Sequence, residues 1–264
     1  MAVAFLRRLC VVCCLAALGT FFSHEPAARA QVPVDLELIL AVDASGSVDE
    51  VEAQLQREGY IAALTSDRVL NAIRSGENRR IAIAYFEWAG ETYQKMVVDW
   101  TIIEDAASAQ AVTARIAASP YMAIRWTSIS AAIDYSVALF QRSPFEGKRR
   151  VIDISGDGKN NNGGNVVTAR DRAVATGITI NGLPILNSRA GGFGGGFTGR
   201  GFPSDPDLDT YYQDFVIGGP GAFMVPAESF DTFATAIQSK LIREIAGLDH
   251  RPDASQFAAA ADPE

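Results

Sequence analysis

Histidine and cysteine are nearly missing from the body of this chain. The two histidines, His24 and His250, stand toward its ends, and Cys10, Cys13 and Cys14 sit close together near its start, so residues 25–249 contain neither type. That absence removes Ser-His-Asp and Cys-His nucleophilic chemistry, His-ligated zinc and thiol redox work in one step. Chemistry in the body must use carboxylates, Lys, Tyr, hydroxyls or a bound hard metal ion. Basic charge is also short: 23 Lys and Arg face 31 Asp and Glu, a net charge of −8. Such a surface gives nucleic acid or an anionic membrane little reason to bind, and is more welcoming to basic partners or metal ions. Long apolar runs are scarce too. The clearest, residues 9–22, is shorter than the roughly 20 residues a spanning helix needs.

The two ends suggest processing. A basic stretch, residues 1–8, precedes that apolar run, and Ala28-Arg29-Ala30 follows it, the layout of a secretory signal over residues 1–30 with a small-x-small cleavage site before Gln31. An uncleaved anchor is the alternative. None of the three cysteines has a lipoprotein context, so the mature chain is expected to be cysteine-free. Export without disulfides points to a bacterial periplasm or exterior. Loss of Arg7, Arg8, Arg29 and Glu25 with the leader takes the net charge from −8 to −10. Residues 31–248 suit one domain with a substantial core. Residues 249–264, rich in Ala, Asp and Pro, read as a mobile tail.

Between these ends, strand-like and helix-like stretches alternate. Residues 34–42 form a continuous run of Leu, Ile, Ala and Val, which predicts a strand buried on both faces. A helix is expected over 50–64, with its continuation to residue 73 forming a second turn or helix. Two strands follow at 80–88 and 93–100, joined by Ala89-Gly90-Glu91-Thr92 as a hairpin. Helices are predicted at 105–118, 129–141, 166–176 and 230–245, and strands at 150–154, 178–185 and 222–226. This order implies a doubly wound, Rossmann-type α/β fold with a mostly parallel sheet and the 93–100 strand as its antiparallel edge.

In such a sheet ligands bind at the carboxyl ends of strands, near a switch in strand order. The first strand ends in Asp43-Ala44-Ser45-Gly46-Ser47, one carboxylate and two hydroxyls at alternate positions. Short side chains converge only if the backbone wraps tightly around one point, and Gly46 permits that turn. Oxygen donors without nitrogen or sulfur suit Mg²⁺, Mn²⁺ or Ca²⁺. Taken alone, the same residues describe a strand-to-helix turn capped by Ser47 or Asp49. A second polar spot, Thr127-Ser128, precedes the 129–141 helix. A third loop, Ser155-Gly156-Asp157-Gly158-Lys159-Asn160-Asn161-Asn162-Gly163-Gly164, follows the 150–154 strand.

Together these loops resemble the von Willebrand factor A domain and its metal-ion-dependent adhesion site. Asp43, Ser45 and Ser47 in the first loop, Thr127 in the second and Asp157 in the third carry the resemblance, which covers about residues 34–247. It implies a divalent cation held by these five residues, with one coordination position left for an acidic residue of a protein partner, and a binding module rather than an enzyme. The chain departs from the pattern at Arg125-Trp126, where relatives often have Gly-Gly, and at Ser155-Gly156-Asp157-Gly158, where they often have Thr-Asp-Gly. Residues 188–219 look like an insertion, similar to that of exported bacterial relatives of poorly defined function.

Two other readings compete. Gly156-Asp157-Gly158-Lys159-Asn160-Asn161 resembles the acidic loop of haloacid-dehalogenase-type phosphatases, which would use Asp43 and Asp157, but Ser45 and Asn161 stand where two carboxylates are needed. A small-molecule-binding protein is the other. Among lesser motifs, the Gly-rich run 191–201 contains a formal G-x-G-x-x-G, yet it leads into Phe202-Pro203 and not into a helix, so it reads as a flexible loop. Asp205, Asp207 and Asp209 read as a solvated acidic loop, Asn160 to Asn162 as turn geometry, and Trp88, Trp100 and Trp126 as rims of the core.

Overall fold

The structure, a computed structural model, describes residues 31–122, 124–186, 207–229 and 232–247. The expected signal, the Gly-rich run and the tail lie outside them. The elements follow in order: β1 (Val32–Val34), β2 (Glu37–Asp43), α1 (Glu50–Thr65), α2 (Asp67–Arg74), β3 (Ile81–Trp88), β4 (Gln94–Ile103), α3 (Ala106–Ala118), α4 (Ile129–Gln141), β5 (Phe145–Gly147), β6 (Arg150–Gly156), α5 (Val166–Ala175), β7 (Ile178–Pro184), α6 (Leu208–Tyr211) running into a π-helical turn (Tyr212–Val216), and α7 (Phe233–Ala246). Five strands form the central sheet in the order β4-β3-β2-β6-β7. Every neighbouring pair is parallel except β3–β4.

The unbroken apolar run of β2 is explained by two-sided burial. Its alternate residues Leu38, Leu40 and Val42 enter the core shared with Tyr60 of α1, Val112 of α3 and Ile237 of α7. Ile39 and Ala41 enter the opposite core with Ile133 of α4, Ala169 of α5 and Leu208 of α6. Side chains alternate across a strand, so a strand covered on both faces needs apolar residues at every position. The chain runs from β2 to β3 on one side and later to β6 on the other, so strand order reverses at β2. The carboxyl ends of β2 and β6 therefore flank the switch point.

Local chemistry sets the helix starts. Asp49, not Ser47, caps α1: it accepts the Glu52 N–H at 2.9 Å, while the Glu52 carboxylate accepts the Asp49 N–H at 3.0 Å. Gly59 lets α1 approach α7, since a Cβ there would stand 2.6 Å from the Phe233 ring. Ser66 ends α1 and caps α2, so the continuation toward residue 73 is a second, separate helix.

Three expectations need correction. Residues 222–226 form no regular strand; only Met224 and Ala227 bridge, to Gly182 and Ile185. Gly219 and Gly221 have positive φ and Pro226 has no N–H to offer, which prevents a continuous ladder. Residues 208–216, inside the stretch read as a loop insertion, are helical. The short parallel ribbon β1–β5 was not expected. That ribbon precedes the amino-terminal ends of β2 and β6, and beside it Arg149 donates to the carbonyls of Glu244 and Ile245 at the end of α7. Both Val32 and Gly247 thus lie at the end of the sheet opposite Asp43.

Candidate functional site

β2 delivers Asp43 and β6 delivers Asp157 to the same end of the sheet. Asp43 is 2% exposed, and its Oδ1 accepts the Ser45 N–H at 2.6 Å, which folds the first loop back on itself. This places the two hydroxyls side by side, with Ser45 Oγ and Ser47 Oγ 3.0 Å apart. Ser47 Oγ then donates to Asp157 Oδ1 at 2.6 Å, across 110 residues of sequence. Gly156 makes the close approach feasible: a Cβ there would lie 2.8 Å from Asp43 Oδ2 and 3.0 Å from Tyr212 Oη.

The second loop is held by backbone bonds. Ile124 bridges to Ser45, and its N–H donates to Ala44 O at 3.3 Å, so residues 124–126 run beside the first loop. Thr127 is buried, with Oγ1 facing the third loop, 3.8 Å from where Gly158 would carry a Cβ. The structure thus joins Ser45, Ser47 and Asp157 by direct hydrogen bonds and ties Asp43 to them through the Ser45 backbone. Thr127 is set at the facing wall.

The electrostatics favour a cation. Burial, and then the charge of Asp157, push the Asp43 carboxyl up to about 8. Burial also raises Asp157, to about 6, with the Ser47 hydroxyl opposing the rise and Glu52 adding to it. Two carboxylates taken out of water side by side resist joint ionisation, and a divalent ion reverses that penalty. Asp43 Oδ2 is buried with no hydrogen-bond partner. An unpartnered carboxylate oxygen beside three hydroxyls and a second carboxylate is an all-oxygen donor set, which fits a hard divalent ion. Among the described residues no three His, Cys, Asp or Glu side chains gather as one group, so the hydroxyls are needed to complete a shell here.

Several contributors were not evident from sequence. Asn160, Asn161 and Asn162 act as a staple: their Oδ1 atoms accept the N–H groups of Ser130 at 3.1 Å, Thr127 at 2.9 Å and Glu91 at 2.7 Å. Three consecutive short amides in a loop were the available signal, but their partners are distant in sequence. Tyr212, from the π-helical turn, is buried and raised well above the usual tyrosine value by burial, Asp43 and Asp157, and nothing local in the sequence marks it. Asp153, inside β6, is engaged elsewhere, in an ion pair with Lys240 at 2.6 Å. Trp88 is fully buried, whereas Trp126 is 54% exposed and so is no rim of the core.

A doubly wound sheet with three loops converging at its switch point is the architecture of the von Willebrand factor A domain, and known structures bear this out. The pilus adhesin SpaC of Lactobacillus rhamnosus GG superposes with a TM-score of 0.56 at 15% identity, covering 82% of this chain and 31% of the adhesin. A von Willebrand factor type A protein of Catenulispora acidiphila gives 0.54 at 13% identity, over 81% of this chain and 43% of that one. Proximal thread matrix protein 1 of the mussel byssus, with a zinc-occupied metal-ion-dependent adhesion site motif, gives 0.56 at 14% identity, over 82% and 49%. The chain thus spans from about a third to a half of the length of these three proteins. No curated protein matches it in sequence. Within this fold the chain belongs to a family described as protein of unknown function (DUF1194), whose model it matches over residues 33–249.

Proposed function

We propose that this chain is an exported binding module that engages a protein partner through a divalent cation, Mg²⁺ in the first instance, held by Asp43, Ser45, Ser47, Thr127 and Asp157. The observation that carries this reading is the convergence of three loops on oxygen donors alone, with the buried Asp43 Oδ2 left without a partner. The ion would neutralise the two crowded carboxylates. Its unfilled position would accept an Asp or Glu oxygen from the partner. A pilus adhesin and a byssal matrix protein among the structural neighbours support adhesion as the class of work. The leader-like start supports export.

No observation favours the phosphatase alternative. Asn161, at the position where that loop needs its closing carboxylate, has its Oδ1 occupied by the Thr127 N–H.

Isothermal titration calorimetry with Mg²⁺ and Mn²⁺ tests the site. Uptake of one ion is expected, lost in Asp43→Ala and in Ser47→Ala. Wild-type protein that takes up neither ion, or variants that bind as well as wild type, would overturn the assignment. A phosphatase assay run beside it is expected to give no activity that depends on Asp43, and capture of an envelope protein is expected only without EDTA.

A further inference from the structure

Trp126 combines two features that are each unfavourable for a folded chain. Its φ is +75°, in the left-handed region that L-residues with bulky side chains avoid, and its indole is 54% exposed. A glycine would satisfy that backbone without strain. The backbone there has little room to relax. A Cβ at Gly90 would come within 3.1 Å of Arg125 O and 3.3 Å of Trp126 Cβ, and the next residue, Thr127, is bonded to Asn161. Backbone strain persists only where its surroundings over-determine it, and such strain collects at functional positions. Here the strained residue directly precedes Thr127, on the segment that runs beside the first loop.

The surroundings indicate what the indole meets. Arg125 lies over its ring, with Cζ 5.3 Å from the centroid, which places a positive charge beside the aromatic face. Met122, shortly before it in the chain, is 50% exposed. The surface beside the cluster of Asp43 and Asp157 therefore offers apolar area together with a cationic group. Trp and Arg are among the side chains most enriched at interface hot spots.

We infer that Trp126 is the specificity anchor of the cation site: it packs against a large apolar side chain standing next to the partner's metal-binding Asp or Glu, and Arg125 draws in that acidic segment. The inference rests on the cation reading above, and the experiment separates the two. A phage-displayed library with a fixed central Asp and three randomised residues on each side is panned on the immobilised protein in Mg²⁺ and eluted with EDTA. Wild type is expected to enrich an aromatic or large aliphatic residue at one fixed position beside the Asp. Trp126→Gly and Trp126→Ala are expected to retain Mg²⁺ affinity within twofold and to lose that flanking preference. Trp126→Gly is also expected to melt roughly 2–4 °C higher than wild type, because it relieves the left-handed strain, whereas Trp126→Ala keeps the Cβ and gains nothing. The same flanking preference in both variants, or a Trp126→Gly protein that melts no higher than wild type, overturns this inference alone. A library that gives no EDTA-eluted clones from wild type overturns the cation reading and this inference with it.

Discussion

Thr127 owes its position to its backbone. Its N–H is taken by Asn161 Oδ1, and its carbonyl accepts the N–H groups of Asn161 and Asn162 at 2.9 and 3.2 Å. Asn161→Ala leaves the Thr127 N–H without its acceptor, and a loss of about 1–3 kcal/mol in stability is expected from urea unfolding. The same substitution is expected to weaken Mg²⁺ uptake in calorimetry, whereas Asn161→Asp, which keeps an acceptor oxygen, retains most of it. At this scale legibility depended on distance along the chain. Asp43, Ser45 and Ser47 declare themselves within five residues, and Thr127 and Asp157 through the helix and strand they border. The asparagine run is visible, but its partners and those of Tyr212 lie tens of residues away, and the strain at Trp126 is a backbone property that leaves no local pattern.

Among the elements, β6, β7 and α7 share a fully buried polar cluster. Lys240 of α7 pairs with Asp153 of β6 and with Glu244 one turn on, and Asn181 of β7 donates to Glu244 at 2.9 Å. Burial raises the Asp153 carboxyl to about 7, with the Lys240 charge opposing the rise. The native chain therefore holds a proton between about pH 4 and pH 7 that the unfolded chain has released, so this group makes stability fall as pH rises across that window. Asp153→Asn is expected to flatten the profile there, by on the order of 1 kcal/mol per pH unit, read from urea unfolding in EDTA at a series of pH values. Where α1 crosses α7, Gly59→Leu drives a side chain into Phe233 and is expected to cost about 1–3 kcal/mol in the same assay. The strands buried on both faces and the helix of residues 129–141 were legible because their patterns are long and periodic. The three-residue strands β1 and β5 carry too few residues for any period, and residues 222–226 look strand-like but meet a proline and two left-handed glycines.

For the molecule as a whole, a cation that binds only the folded chain must stabilise it. At an Mg²⁺ concentration a hundred times Kd, the gain is about 2.7 kcal/mol. For a domain of this size that corresponds to a rise of roughly 5–10 °C in melting temperature, reversed by EDTA and absent in Ser47→Ala. Calorimetric or fluorescence melting checks it. The described residues begin and end beside the β1–β5 ribbon and Arg149, while Asp43, Trp126 and Asp157 gather at the far end of the strands. A support attached at residue 32 or at residue 247 therefore leaves the end that carries Asp43 and Asp157 facing outward, so a biosensor surface coupled at either of these positions should display the same face to a partner in solution.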